Sequence, residues 1–381
     1  MRILVASDKF KGSLTGREAC EAIATGLARG LGDVAECGLL PVADGGEGMA
    51  RAILDAKGGR WIEAAVSDPL GRPVTAGYAL IDGGDTAVME MAEASGLWRV
   101  AENQRDPWRA STFGTGELMR HAAGTGAKRI LLGIGGSATN DGGAGMARAL
   151  GWRFLDAEGL EIADLPARLD ETVAIDASRA VSPPPLTVAC DVANPLLGDD
   201  GCTRVYGPQK GVTPADLGAH EGRLRRLVSL LGGRGAAAAD VPGAGAAGGL
   251  GFGCLCFAGG ELRPGFDVVA GALDLPAAIA GADAVVTGEG RLDRQTLFGK
   301  APAGVARLAR SLGKPVFAFG GAVEPGATEA LGEVFDGFAA IDRGALPLEA
   351  SLERAAELLA ATAAREARRF FGPEKPRPAG R

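Results

Sequence analysis

The chain has 381 residues, 46% of them hydrophobic, with a formal net charge of −7, two histidines and six cysteines. This length fits two domains better than one compact core. The acidic balance excludes a phosphate-binding nucleic-acid groove, and no apolar run reaches the roughly 18 residues needed to span a bilayer. The cysteines lack zinc-site pairing and disulfide-scaffold density. The opening stretch meets Asp8 too early for a secretory core. A cytoplasmic enzyme of small molecules is the expectation. Its 61 glycines are about twice the usual share of roughly 7%.

In chain order, Ile3 to Ser7 reads as a strand. Thr15-Gly16-Arg17-Glu18 is a capping box opening a helix to about Leu31, and Ala35 to Leu40 is a second strand. Three successive strands, Arg60 to Ser67, Pro73 to Ile81 and Thr86 to Glu90, suggest an antiparallel meander. A helix near Thr115 to Ala123, a strand near Arg129 to Ile134, a break at Ser182 to Pro185 and a strand at Thr187 to Cys190 follow. Ala284 to Thr287, Pro315 to Phe319 and Val334 to Ala339 alternate with helical patterns. The fold class is therefore α/β: both chain ends build one doubly wound parallel sheet, residues 1–60 with 281–371, around an inserted mixed α/β domain, residues 61–280. Residues 372–381, rich in proline and charge, are expected to be disordered.

Ligands of doubly wound sheets lie beyond the strand carboxyl ends, where the strand order reverses. With the order 2-1-3-4-5, the loop Asp8 to Ser13 lies beside Gly288 to Asp293, and Ala43 to Gly48 shares that edge. Lysine and arginine there can neutralise phosphate oxygens while carboxylates hold a metal or take a hydroxyl proton. In the inserted region, Gly133 to Gly145 joins a strand to a helical pattern. Successive glycine amides with Ser137 and Thr139 would cradle an anion. Asp141 would hold a metal or cap the helix. The spacing of Gly133, Gly135 and Ala138, with Asp156 downstream, also admits a nicotinamide-dependent 2-hydroxy acid dehydrogenase. A non-catalytic metabolite-binding protein is a third reading. P-loop and protein-kinase signatures are absent.

Long segments resemble the bacterial glycerate kinase family. They are Phe10 to Leu14, Pro41 to Gly48, Glu90 to Leu97, Gly114 to Leu118, Gly135 to Gly145, Ala189 to Leu196, Tyr206 to Gly211, Pro242 to Gly251 and Thr287 to Asp293, with Lys300 after the last. The resemblance implies a flavodoxin-like domain with an inserted domain, a cleft between them, ATP and Mg2+ as cofactors, and D-glycerate as substrate. It implies 2-phosphoglycerate ahead of 3-phosphoglycerate as product, places the enzyme in glyoxylate metabolism, and leaves a homodimer open. Ala193, Lys9 and Phe319-Gly320-Gly321 depart from the family pattern by losing hydroxyls.

Glycerate needs a cation for its acid and a carboxylate near its attacking hydroxyl. Arg291 is the choice for the substrate carboxylate, and Asp191 the general base with Asp293 as runner-up. Asp44, Glu47 and Glu289 complete the substrate set. Lys11, Ser13, Gly135, Gly136, Ser137, Thr139, Asn140 and Lys300 form the nucleotide set, with Asp141 and Glu289 as metal ligands. His121 and His220 are expected to be structural, and Cys254 and Cys256 to pack a core.

Overall fold

The structure is a computed structural model that describes residues 1–297, 299–341 and 346–371; the tail expected at 372–381 lies outside them. The chain divides into two compact units. One comprises Met1–Asp44 and the chain from Val269 onward; the other is Gly45–Val268.

The first unit is built on five parallel strands, Arg2–Val5, Glu36–Leu39, Ala284–Leu292, Val316–Val323 and Gly337–Ala340. Numbered within this unit, their spatial order is 2-1-3-4-5, the flavodoxin-like doubly wound arrangement. Thr15 and Glu18 form the expected capping box at the start of helix Gly16–Leu31. That helix packs on Ala355–Phe371 from the other chain end, and the approach is close enough that a Cβ on Gly30 would lie 2.6 Å from the Ala364 carbonyl. Ile23, Leu27, Leu359 and Ala363 join the sheet residues Val5, Val286 and Phe317 in one core. Because the box satisfies two otherwise orphaned groups at the helix start, Thr15→Ala is expected to cost about 1 kcal/mol. Urea unfolding at unchanged m-value checks this.

The segment Gly288 to Leu292, expected as a loop, continues a nine-residue strand, Ala284–Leu292, paired with Val316–Val323. Glycine permits the extension. A Cβ on Gly288 would stand 2.6 Å from the Phe319 carbonyl, so the two strands run closer there than a side chain allows. The expected neighbourhood holds: Ser7 Oγ and Asp8 N both donate to the Gly288 carbonyl, at 3.1 and 2.9 Å.

The second unit centres on a six-stranded mixed sheet. Its order is Glu261–Arg263, Leu186–Ala189, Arg129–Gly133, Thr86–Glu90, Pro73–Ile81, Arg60–Ser67. The last three form the antiparallel meander and the others are parallel. A small antiparallel pair, Arg153–Leu155 with Ala174–Asp176, stands apart.

The division between units falls at 44/45 and 268/269, where the sequence reading sets 60/61 and 280/281. Helix Met49–Lys57 accounts for the first difference. Buried Glu90 accepts bonds from Gly48 N (2.7 Å) and Ala50 N (3.4 Å) at its start, and Lys57 pairs with Asp82 at 2.8 Å near its end. Arg51 lies over Trp61, 3.4 Å from the ring centroid. Both helix ends are thus fastened to the meander.

Candidate active site

In the second unit a recess of about 230 Å³ opens at the carboxyl ends of two neighbouring parallel strands, Arg129–Gly133 and Leu186–Ala189. Gly135, Gly136 and Ser137 form one wall and Cys190 with Asp191 another; Lys210, Gln209 and Tyr206 close it. The glycine wall is shaped by Gly136 at φ +72°. It is braced by a second glycine run, since Gly142 N donates to the Gly248 carbonyl at 3.0 Å. There Ala247, which also lines the recess, adopts φ +56° ahead of Gly248 and Gly249 at +68° and +88°. A left-handed alanine is a strained backbone, of the kind that concentrates at functional sites.

Lys210 is the residue that sequence reasoning missed. It is 2% exposed, and its ammonium donates to Ser137 Oγ at 2.7 Å and to the Thr139 carbonyl at 2.8 Å. Burial lowers its pKa to about 8, which leaves it charged at neutral pH. Among the described residues it has no ion pair with a carboxylate. A buried cation beside a glycine-lined hollow favours negative charge there. Asp191 adds a carboxylate, held by Gly265 N at 2.7 Å. A cation, an acid and bare backbone thus share one small space.

Other members of the glycine loop are placed differently. Thr139 is wholly buried, its hydroxyl 3.4 Å from the Ala247 carbonyl. Asn140, 2% exposed, donates to Thr203 Oγ1 at 3.1 Å and faces Cys202. Asp141 is fully buried and accepts from Thr112 N (2.8 Å), Thr112 Oγ1 (2.8 Å), Gly143 N (3.0 Å) and Gly145 N (3.1 Å). Three of these donors converge on Oδ2 and one reaches Oδ1, which is the geometry of the capping role. Helix Ala144–Ala149 begins only after Gly143, too late for the amides of a dinucleotide turn to follow Gly133, Gly135 and Ala138. Glu47 is exposed, between Gly46 and Gly48.

In the first unit, charge gathers at the carboxyl ends of the central strands. Asp8, in the loop that follows the first strand, is 7% exposed and accepts from Lys9 N at 2.6 Å. Burial, reinforced by the charges of Asp44 and Glu289, pushes its pKa up to about 7. Glu289 is also raised, chiefly by burial. Its Oε2 lies 3.4 Å from Lys300 Nζ, while its buried Oε1 has no hydrogen-bond partner among the described residues. Asp293 is 4.0 Å from the same ammonium and 3.7 Å from Arg291 Nε, and Thr296 N donates to it at 3.1 Å. Arg291 keeps 64% of its side chain exposed. Among the described residues no group of three or more histidines, cysteines, aspartates or glutamates is arranged to hold a metal ion. Lys11 and Ser13 stand in the tight turn after Phe10, at the edge of an apolar pocket.

The Asp8 pKa gives a pH prediction for the protein without nucleotide or metal. Between its ordinary value of 3.8 and about 7, the native state holds a proton that the unfolded chain has lost. This contribution to stability is full below the lower value and vanishes as pH rises through the higher one. Asp8→Asn cannot ionise, so its Tm relative to the parent should rise between pH 5 and pH 8 in paired melts. A difference that stays constant with pH would disconnect Asp8 ionisation from folding.

His121 and His220 occupy packing positions. His121 Nδ1 meets the Tyr78 hydroxyl at 3.1 Å, and His220 stacks on Trp108 with centroids 4.0 Å apart. Cys254 and Cys256 are buried in the core of the second unit. No helix among the described residues is long and apolar enough to cross a membrane.

The profile of the glycerate kinase family matches residues 3–370. The chain is 44% identical to a glycerate kinase of Bacillus subtilis (strain 168) over 95% of this chain and 96% of that one. It is 42% identical to a glycerate 2-kinase of Escherichia coli (strain K12), covering 85% and 86%. It also superposes on the crystal structure of a Salmonella typhimurium LT2 protein assigned as glycerate kinase 2, with a TM-score of 0.87 at 42% identity, covering 96% of this chain and 97% of that one. The fold and these matches define a kinase. The chain belongs to the glycerate kinase family.

Proposed function

We propose that this enzyme transfers the γ-phosphate of ATP, accompanied by Mg2+, to a hydroxyl of D-glycerate, and that 2-phosphoglycerate is the favoured product. The observation that carries the acceptor side is that buried Lys210, its ammonium bonded to Ser137 Oγ, lines the same glycine-rich recess as Asp191. Drug-sized ligands need roughly 300 Å³ or more; about 230 Å³ suits a three-carbon acid. Lys210 and the amides of the Gly135 to Ser137 stretch take the carboxylate, and Asp191 takes the proton of the attacking hydroxyl.

On the donor side, Lys11 and Lys300 meet nucleotide phosphates, and Arg291 offsets charge developing on the transferred group. Mg2+ is usually held by one or two carboxylates plus substrate phosphates rather than a full protein cage. Glu289, whose buried Oε1 has no hydrogen-bond partner among the described residues, is our candidate for that contact, with Asp44 and Asp293 near the same charges. The ion would neutralise phosphate oxygens during in-line transfer. Such chemistry fits a place in glyoxylate metabolism.

The test is ADP release by the purified protein with D-glycerate, with and without Mg2+, followed by phosphorus NMR of the product. Release that depends on both, with the phosphate at the 2-position, is expected. Activity indifferent to glycerate would overturn the assignment, and a 3-phosphate product would overturn its regiochemistry.

A further inference from the structure

The first unit carries an apolar pocket of about 230 Å³ whose occupant nothing above identifies. It lies at the carboxyl ends of the five parallel strands, beside the point where the order reverses between Arg2–Val5 and Ala284–Leu292. Open α/β sheets bind their ligands at such a point. Its floor is bare main chain. Gly290 and Gly321 face each other on adjacent strands, and a Cβ on Gly321 would strike the Gly290 carbonyl. A Cβ on Gly290 would come within 3.1 Å of Lys11 N. The floor therefore exists only because both positions are glycine.

One wall is aliphatic, from Ile341, Leu348, Leu352 and Ala355. Leu348 is 75% exposed and Leu352 36%, so apolar side chains stand in water around an open slot. The opposite rim is polar. Lys11 and Ser13 sit in a turn closed by paired bonds between Phe10 and Leu14, at 2.9 and 3.0 Å, with Gly12 at φ +83°. A flat floor, a greasy wall and a cation at one end ask for a planar apolar body with an anionic tail.

We propose that this pocket seats the purine base of ATP, with Lys11 at its mouth meeting the phosphates. The inference rests on the kinase reading and adds where the nucleotide is anchored. The slot recognises the base through its faces, one against the Gly290 and Gly321 main chain and the other against the aliphatic side chains. Lys11 and Ser13, singled out from sequence as nucleotide contacts, border this pocket, while Gly135 to Ser137 border the recess of the other unit.

The experiment measures ATP and inorganic tripolyphosphate binding by calorimetry to the full chain, to Leu352→Glu and to Ser351→Trp. Leu352→Glu puts a charge on the wall, and Ser351→Trp fills the slot. Both positions lie on the short helix Leu348–Glu353, which buries none of its residues, and either variant alone suffices should the other not fold. Each is expected to weaken ATP binding about tenfold or more while changing tripolyphosphate binding less than about twofold. The KM for ATP should rise while that for D-glycerate stays within about twofold. If the parent phosphorylates glycerate and both variants bind ATP unaltered, the seat is wrong and the kinase reading stands. If the parent binds ATP and the variants lose it without any glycerate phosphorylation, the seat stands and the kinase reading falls. A parent that binds no ATP overturns both.

Discussion

Asp191→Asn should lower kcat by about 10² to 10⁴, the usual range for removing a positioned general base, while leaving the fold intact. The substitution separates chemistry from structure unusually well here. In the native protein Asp191 Oδ1 accepts from Gly265 N at 2.7 Å, and an asparagine keeps an oxygen there, so the bond and the loop it anchors survive. What disappears is the ability to take a proton from the substrate hydroxyl. The expected signature is a large fall in kcat with a smaller change in the KM for glycerate and a Tm close to the parent's, since the bond to Gly265 N is kept. Steady-state kinetics with a thermal melt on the same preparation checks this. Near-parental turnover would remove Asp191 from proton transfer and pass the role to Asp293, which lies at 17% side-chain exposure beside Lys300.

The architecture was legible because its local signals agree. The capping box at Thr15 and Glu18, the period-two runs of the meander and the alternating strands near the C-terminus each point to the observed element. Where reading and structure part, the cause is tertiary. Gly288 to Leu292 looks like a loop because glycine and charge usually mark loops, yet the neighbouring Phe319 to Ala322 stretch gives it a strand partner. Thr139 and Asn140 look like phosphate ligands because they follow glycines, but their side chains turn into the packing against Ala247, Thr203 and Cys202. Lys210 was passed over for the opposite reason. A lysine in a polar stretch reads as surface because lysine is almost never fully buried, and only the fold shows Ser137 and Thr139 receiving it. Asp8 carried a visible hint, being the first charge after an apolar strand, but its raised pKa comes chiefly from burial, with Asp44 and Glu289, both distant in sequence, adding to it.

Lys210→Met is the second substitution with a large expected effect, and it tests the acceptor site from the binding side. Methionine approximates the lysine stem in length, so the buried volume is retained and the loss is confined to the ammonium and its donors. Ser137 Oγ and the Thr139 carbonyl each lose a charged partner, a change that costs some stability because buried acceptors left unmatched are penalised by about 1–3 kcal/mol. The larger consequence falls on the substrate. A charge-assisted hydrogen bond contributes about 1.5–3 kcal/mol, so the KM for D-glycerate should rise by about 10- to 150-fold, with the KM for ATP far less affected. Lys210→Arg keeps the charge but cannot fit its fork into a position only 2% exposed, so it should recover little. A Lys210→Met enzyme that folds and shows parental KM for glycerate would show that the cation supports the glycine loop without meeting the substrate, and the anion would then have to be sought at Arg291.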